Sequence, residues 1–308
     1  MSEIRYGNCQ DILKEWVAEG RKAQMCVTSP PYFGLRDYGV DGQFGLEKTP
    51  DEYVAHLVEV FRDVRELLTD DGTLWLNLGD SYANDSKWGG SSGGKHAKGL
   101  HGNTGIGRGK KFTGLKSKDL IGVPWRVAFA LQEDGWYLRQ DIIWSKPNPM
   151  PESVTDRCTK SHEYIFLLSK SPKYFFDSDA IKEQSVGGNA KGNSKKLAES
   201  AVAKTGGLIS GGTNNSTLGV SAKNTRNRRS IWVVTTKPYK GAHFATFPPD
   251  LIEPCILAGS RPGDVVLDPF IGSGTTAQVA LKHGRQYLGC ELNPEYKALI
   301  DKRIELAA

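Results

Sequence analysis

The feature that most narrows what this chain can fold into lies at residues 265–277, Val-Val-Leu-Asp-Pro-Phe-Ile-Gly-Ser-Gly-Thr-Thr-Ala. An apolar strand runs into a turn with glycines at 272 and 274, and a helix over 275–282 follows. Glycine lets a backbone approach a ligand closely, and the free N–H groups of a helix start can face it. A second strand ends in Cys290-Glu291, 19 residues after Gly272, where an acid can hold both hydroxyls of a ribose. Asn293 and Pro294 then open a last helix. Only 17 residues follow Glu291, too few to complete a doubly wound sheet. The other strands are therefore expected from the N-terminal side, in a circularly permuted order.

Those strands are legible. Apolar runs bounded by turns at 25–28, 73–77, 140–144 and 164–168 alternate with helical periodicity at 50–68 and 122–133. The pattern predicts an α/β fold with a doubly wound, mainly parallel sheet. The first run passes into Ser29-Pro30-Pro31-Tyr32. Two prolines end the ladder and fix an extended turn at the carboxyl end of the sheet, where open α/β folds hold ligands. The Ser29 hydroxyl and the Pro30 carbonyl, two acceptors on a rigid turn, can grip the two hydrogens of an exocyclic amine. Tyr32 offers a flat face to a flipped-out base.

Charge is unevenly spread. Segment 81–118 holds eight basic residues against Asp85, for +7, and segment 182–240 holds eleven against Glu183 and Glu199, for +9. With a total of +5, the remainder carries −11. Basic loops on an acidic body suit a polyanion such as nucleic acid, although Gly-Ser-Lys composition also suits a solvated linker. The five scattered cysteines include no C-x-x-C pair, which argues against a zinc site and a disulfide scaffold. No apolar run of 18 residues and no signal-peptide layout occur, so a cytoplasmic protein with no metal and no membrane partner is expected.

The ligand of the glycine turn can be narrowed. Gly272-x-Gly274-x-x-Ala277 also fits nicotinamide dinucleotide enzymes, but Asp268 at the strand end would repel a pyrophosphate. A carboxylate there suits an ammonium-bearing ligand. A ribose, an amine and no phosphate together describe S-adenosylmethionine.

With both motifs in hand, the chain resembles the β group of amino-methylating DNA methyltransferases, in which the catalytic motif precedes the cofactor motif. The matching segments are Thr28-Ser-Pro-Pro-Tyr32 and Asp268-Pro-Phe-Ile-Gly-Ser-Gly-Thr-Thr276. Between them come Arg139–Pro151, His162-Glu-Tyr-Ile-Phe166 and Ala242-His-Phe-Ala-Thr-Phe-Pro248, in the family's order. The resemblance implies a class I, Rossmann-like methyltransferase domain. Residues 1–177 would be its catalytic half, 231–308 its cofactor-binding half, and 178–230 a target-recognition region.

The resemblance also implies site roles. Ser29, Pro30, Pro31 and Tyr32 would be catalytic. S-adenosylmethionine would meet Thr28, Asp268, Phe270, Gly272, Ser273, Gly274, Thr275, Thr276, Glu291 and Asn293. His243, Phe244 and Phe247 would help close its pocket, and Asn8 and Cys9 would lie at its adenine. There the family's usual Gly-Asp is Gly7-Asn8. From the charge pattern rather than the resemblance, double-stranded DNA is expected to touch Lys110, Lys111, Arg226, Arg228 and Arg229. A homodimer and a cognate restriction endonuclease are partners the family admits.

The reaction implied is methyl transfer to an exocyclic amino nitrogen. Ser at the first motif position goes mostly with cytosine N4, and Asp or Asn mostly with adenine N6, so Ser29 favours cytosine and leaves adenine as the alternative. A nicotinamide-dependent oxidoreductase would not explain the Ser29 turn. A non-catalytic DNA-binding protein would not need both motifs intact, and the motif order with the basic insertion at the recognition position argues for DNA over RNA or protein as substrate. Cys255 sits in an apolar helical pattern and reads as core, and the His162-Glu163 pair at the start of a buried strand reads as structural. Asp80 is expected either to line the pocket or to cap the loop.

Overall fold

Strand β2 (Ala23–Thr28) is buried along its whole length, which requires cover on both faces of the sheet it joins. The computed structural model describes residues 2–35, 39–83, 114–185, 225–236 and 247–307. They fall into two compact units, one of 1–177 with 229–308 and one of 178–228. The first is built on an eight-stranded sheet ordered β1 (Glu3–Tyr6), β10 (Gln286–Glu291), β9 (Val265–Asp268), β2, β3 (Leu68–Leu78), β5 (His162–Ser169), β4 (Tyr137–Ser145) and β8 (Ile231–Val233). All neighbouring pairs are parallel except those of β5, which runs antiparallel between β3 and β4. The last strands in sequence therefore sit beside one of the first, as a circular permutation requires.

The helices between the strands carry clear start signals. Helix α1 (Cys9–Ala18) is capped by Asn8 Oδ1, which accepts the Gln10 N–H at 2.9 Å. At α2 (Pro50–Leu67), Thr49 Oγ1 accepts the Glu52 N–H at 3.1 Å, while Glu52 reaches back to the Lys48 N–H at 2.9 Å. Helix α3 (Val123–Glu133) is capped across some 40 residues of chain: Asp80 Oδ1 accepts the Gly122 and Val123 N–H groups at 3.0 and 3.1 Å. Of the two roles expected of Asp80, the cap is thus present. Helix α4 (Pro249–Gly259) buries Cys255, and Gly259 lies so close to the sheet that a Cβ would meet Met25 Sδ at 2.9 Å. Helices α5 (Thr275–Lys282) and α6 (Lys297–Glu305) complete the fold.

Three strands depart from the sequence reading. Strand β1 is only four residues long, with no fully buried position to mark it. Strand β3 starts five residues early, at Leu68, because Leu68 pairs with Ala23 before a register shift near Gly72. Strand β8, expected with the cofactor half, instead pairs with β4 at the opposite edge of the sheet. Its alternation buries Trp232 and exposes Ile231 and Val233, too short a pattern to declare itself. In the second unit, β6 (Glu183–Gln184) and β7 (Thr225–Arg226) form a short antiparallel pair.

Candidate active site

Both motif turns leave the carboxyl ends of neighbouring central strands, β2 and β9. Asp268, the last residue of β9, has no exposed surface. Its Oδ1 accepts the Thr28 hydroxyl at 2.6 Å and the Phe270 N–H at 3.0 Å, and its Oδ2 accepts the Thr276 hydroxyl at 2.6 Å. Burial raises its carboxyl to about 6, against the pull of those donors. The sequence suggests that this carboxylate meets a ligand ammonium. Its enclosure and three protein donors make it a bridge that fixes Thr28, at the base of the Ser29 turn, against the glycine turn. Thr28 and Thr276 are likewise fully buried and act through Asp268.

The glycine turn folds down onto β10. At Gly289 a Cβ would lie 2.4 Å from Ile271 Cδ1, so the strand must offer bare backbone there. Gly272 and Gly274 have φ of 55° and 83°, a region that favours glycine. Arg303, buried on α6, donates from Nη1 to Ser273 Oγ at 2.9 Å and to Thr275 Oγ1. Those two hydroxyls are thus turned toward the protein interior. Nothing in the 275–282 pattern announces this arginine; its only trace is a basic residue on the buried stripe of α6 with Ile300.

Glu291 ends β10, nearly buried, and its Oε1 accepts the Asn293 N–H at 2.8 Å. Burial lifts its carboxyl to about 7, with Asp268 adding to the rise. Beside it, Gly7 donates to the Glu291 carbonyl at 2.9 Å, which brings Asn8 and the start of α1 to this strand end. Cys9 is buried in the core, where desolvation pushes its thiol to about 12. Phe270 packs edge-on to Phe44 at 5.5 Å, and Phe247 is half-buried. Asn293 caps the short helix Pro294–Tyr296. This set fits a ribose-bearing ligand without phosphates: a carboxyl poised near neutrality suits two hydroxyls, and two buried acids close to the turn disfavour a pyrophosphate.

At the other turn, Ser29 is half-buried and Pro30 buried, and Tyr53 Oη donates to the Pro31 carbonyl at 2.9 Å. Ser29 Oγ donates to Tyr32 Oη at 3.4 Å, and Tyr32 Oη donates to Glu163 Oε2 at 2.7 Å, with Asn77 Oδ1 at 3.2 Å. Burial of that hydroxyl, then the Glu163 charge, push the Tyr32 phenol well above its ordinary range. Glu163, read from the sequence as structural, lies against the Ser29 turn. The antiparallel β5 starts where β2 and β3 end, so its second residue is carried there. A small open pocket against Tyr32 is lined by Phe33, Leu35, Gly79, Asp80, Ser81 and Val123.

Of the remaining expected contacts, His243, Phe244, Lys110 and Lys111 lie outside the described residues. Arg226 donates from Nε to Glu183 Oε1 at 2.8 Å within its own small unit. Arg229 lies just before β8, its carbonyl accepting the Trp232 indole N–H at 2.8 Å. Among the described residues, no group of three or more His, Cys, Asp or Glu could hold a metal ion, and no helix is long and apolar enough to cross a membrane.

The comparisons with known proteins agree with this geometry. A family model described as DNA methylase matches residues 23–302. The Type II methyltransferase M.Cfr9I of Citrobacter freundii is 48% identical over 280 residues, covering 91% of this chain and 80% of that protein. M.SmaI of Serratia marcescens is 49% identical over 283 residues, covering 90% and 82%. Among solved structures, the PvuII DNA methyltransferase (cytosine-N4-specific) aligns with a TM-score of 0.62 at 19% identity, over 98% of this chain and 85% of that one. A DNA modification methylase of Thermus thermophilus, complexed with S-adenosyl-L-methionine, gives 0.57 at 21% identity, over 100% and 94%. These two likenesses concern the fold, which is that of the class I methyltransferases. With the Ser29 turn and the glycine turn joined through Thr28 and Asp268, this chain belongs to the family of amino-methylating DNA methylases, which use S-adenosylmethionine.

Proposed function

We propose that this enzyme methylates the exocyclic N4 of a flipped-out cytosine in duplex DNA, as the modification enzyme of a Type II system. The observation that carries the reading is Ser29 at the head of the Ser-Pro-Pro-Tyr turn: a hydroxyl, not a carboxylate or amide, stands where the amine would be held. Relatives of nearly half identity bear Type II methyltransferase names. Adenine N6 is the alternative substrate.

S-adenosylmethionine supplies an already activated methyl group, so the residues of the chain have to position and polarise. Glu291 would hold the ribose hydroxyls, and the backbone around Gly272 and Gly274 would seat the ligand against β9. Ser29 Oγ and the Pro30 carbonyl would accept the two amine hydrogens and draw the nitrogen toward tetrahedral geometry. Extruding the base costs a few kcal/mol, part of which stacking on Tyr32 would offset. The unit 178–228 would recognise the target. Arg226, Arg228 and Arg229, together with Lys110 and Lys111 of the basic loop 81–118, would hold the duplex. A homodimer and a partner endonuclease belong to the same reading.

The test is transfer from labelled S-adenosylmethionine to mixed-sequence duplex DNA, then nucleoside digestion and mass spectrometry. Labelled N4-methylcytosine is the expected product. N6-methyladenine would overturn the base assignment, and no label would overturn the activity.

A further inference from the structure

Behind the catalytic turn lies a chain of hydrogen bonds that the mechanism so far leaves unused. It runs from Ser29 Oγ to Tyr32 Oη at 3.4 Å, and from Tyr32 Oη to Glu163 Oε2 at 2.7 Å. Asn77 Nδ2 steadies the acceptor, donating to Glu163 Oε2 at 3.3 Å and to the Tyr164 carbonyl at 3.0 Å. Lys146 Nζ from β4 ion-pairs with Glu163 Oε1 and sits 4.1 Å from the centre of the Trp144 ring. Lys160 is a second positive charge nearby, drawn to Asp80 first and to Glu163 less strongly. The side chains of Lys146 and Glu163 are 18% and 16% exposed, so the far end of the chain meets water. From Ser29 to Glu163 both links donate away from the place where the amine would bind, with Asn77 Oδ1 at 3.2 Å a second acceptor for the Tyr32 hydroxyl.

We propose that Ser29, Tyr32 and Glu163 form a proton exit from the target amine, with Glu163 as the positioning residue at its end. The inference rests on the amino-methylation reading. As the nitrogen lone pair forms the new N–C bond, the C–S bond breaks and its electron pair stays on sulfur. The nitrogen then carries one proton too many. That proton passes to Ser29 Oγ, the Ser29 hydroxyl proton passes to Tyr32 Oη, the Tyr32 proton passes to Glu163 Oε2, and Glu163 releases it to water. Lys146 balances the charge of Glu163 between turnovers. The relay works equally for cytosine N4 and adenine N6.

Glu163→Gln tests it, because the amide keeps an acceptor for Tyr32 while removing the site where the proton lands, along with the charge that Lys146 pairs with. The enzyme, preloaded with labelled S-adenosylmethionine and in excess over unmethylated genomic DNA, is followed through a single turnover across pH, in ordinary and heavy water. The expected result is a rate lower by about 10²-fold, a pH profile no longer superimposable on the wild type and a changed solvent isotope effect. Cofactor affinity and melting temperature should stay as in the wild type. A rate within about threefold of wild type and a superimposable profile would make Glu163 a structural clamp and end the proposal. If Glu163→Gln fails to fold, Tyr32→Phe carries the test: it keeps the stacking ring and breaks the relay, so an unchanged pH profile there is equally fatal. A wild-type enzyme that labels no DNA would remove the amino-methylation reading itself, a failure distinct from a wild-type-like variant.

Discussion

Gly79 follows β3 and lies so near the ring of Tyr32 that it leaves no room for a side chain, a contact that converts directly into a prediction. A Cβ at this position would sit 2.5 Å from Tyr32 Cε2, 3.0 Å from Cδ2 and 3.3 Å from Cζ. Ordinary carbon contacts begin near 3.5 Å, so Gly79→Ala requires a ring displacement of about 1 Å. The ring cannot swing freely, because its hydroxyl is held at 2.7 Å by Glu163. Overpacking of this kind costs about 1–3 kcal/mol, which a domain of this size survives. A 1 Å error beside the reacting nitrogen costs about 10² in rate. Gly79→Ala should therefore stay folded, bind S-adenosylmethionine with wild-type affinity and transfer methyl groups about a hundredfold more slowly. Thermal melting, calorimetric titration and single-turnover transfer check the three statements. A wild-type transfer rate would refute the reasoning, since it would mean that the ring position does not set the chemistry; an equal loss of cofactor affinity would place the clash in the wrong half of the site.

Further perturbations probe the other half. Ser29→Ala should keep cofactor binding and lose most methyl transfer; an equal loss of both would make the turn a cofactor wall. Arg303→Met leaves Ser273 and Thr275 without their buried cationic donor and should lower unfolding stability by about 2–4 kcal/mol, with weaker cofactor binding, as urea titration and calorimetry would show. Burial holds Asp268 at about 6 and Glu291 at about 7, above their ordinary values of 3.8 and 4.5. A raised carboxyl keeps its proton longer in the folded state, so the share of ligand-free stability due to these groups is present at low pH and lost as pH rises through about 4 to 7. Ribose hydroxyls need the carboxylate of Glu291, so the Kd for S-adenosylmethionine should be about tenfold weaker at pH 6 than at pH 8, and Glu291→Gln should flatten that dependence.

What can be read in advance is what local chemistry writes down. The periodicity of α2, the proline turn and the glycine turn each declare themselves within a dozen residues. Strands β2, β9 and β10, buried on both faces, appear as continuous apolar runs. Strands β1 and β8 do not, because four half-buried residues carry no period and a single alternation over three is too short to show one. The site partners set by topology are equally hidden. Glu163 sits one residue into an antiparallel strand, and only the insertion of β5 between β3 and β4 brings it to Tyr32. Arg303 reaches the glycine turn from the last helix. Asp268 is visible in the sequence but its role is not, since a strand-end acid looks the same whether it faces a ligand or two threonine hydroxyls.

The Thr28–Asp268 bond spans 240 positions of sequence and closes the middle of the sheet. During synthesis β2 acquires its β3 neighbour at once, yet its other edge waits for β9. At about 5–20 residues per second, that wait is on the order of 12–50 s. Through it the Ser29 turn is held from one side only, by Tyr53 on the Pro31 carbonyl and by Glu163 on Tyr32, and the methyl donor would have no floor. On the proposed reading, methyl transfer therefore waits for β10 and Glu291, and a cell doses this activity in whole molecules only.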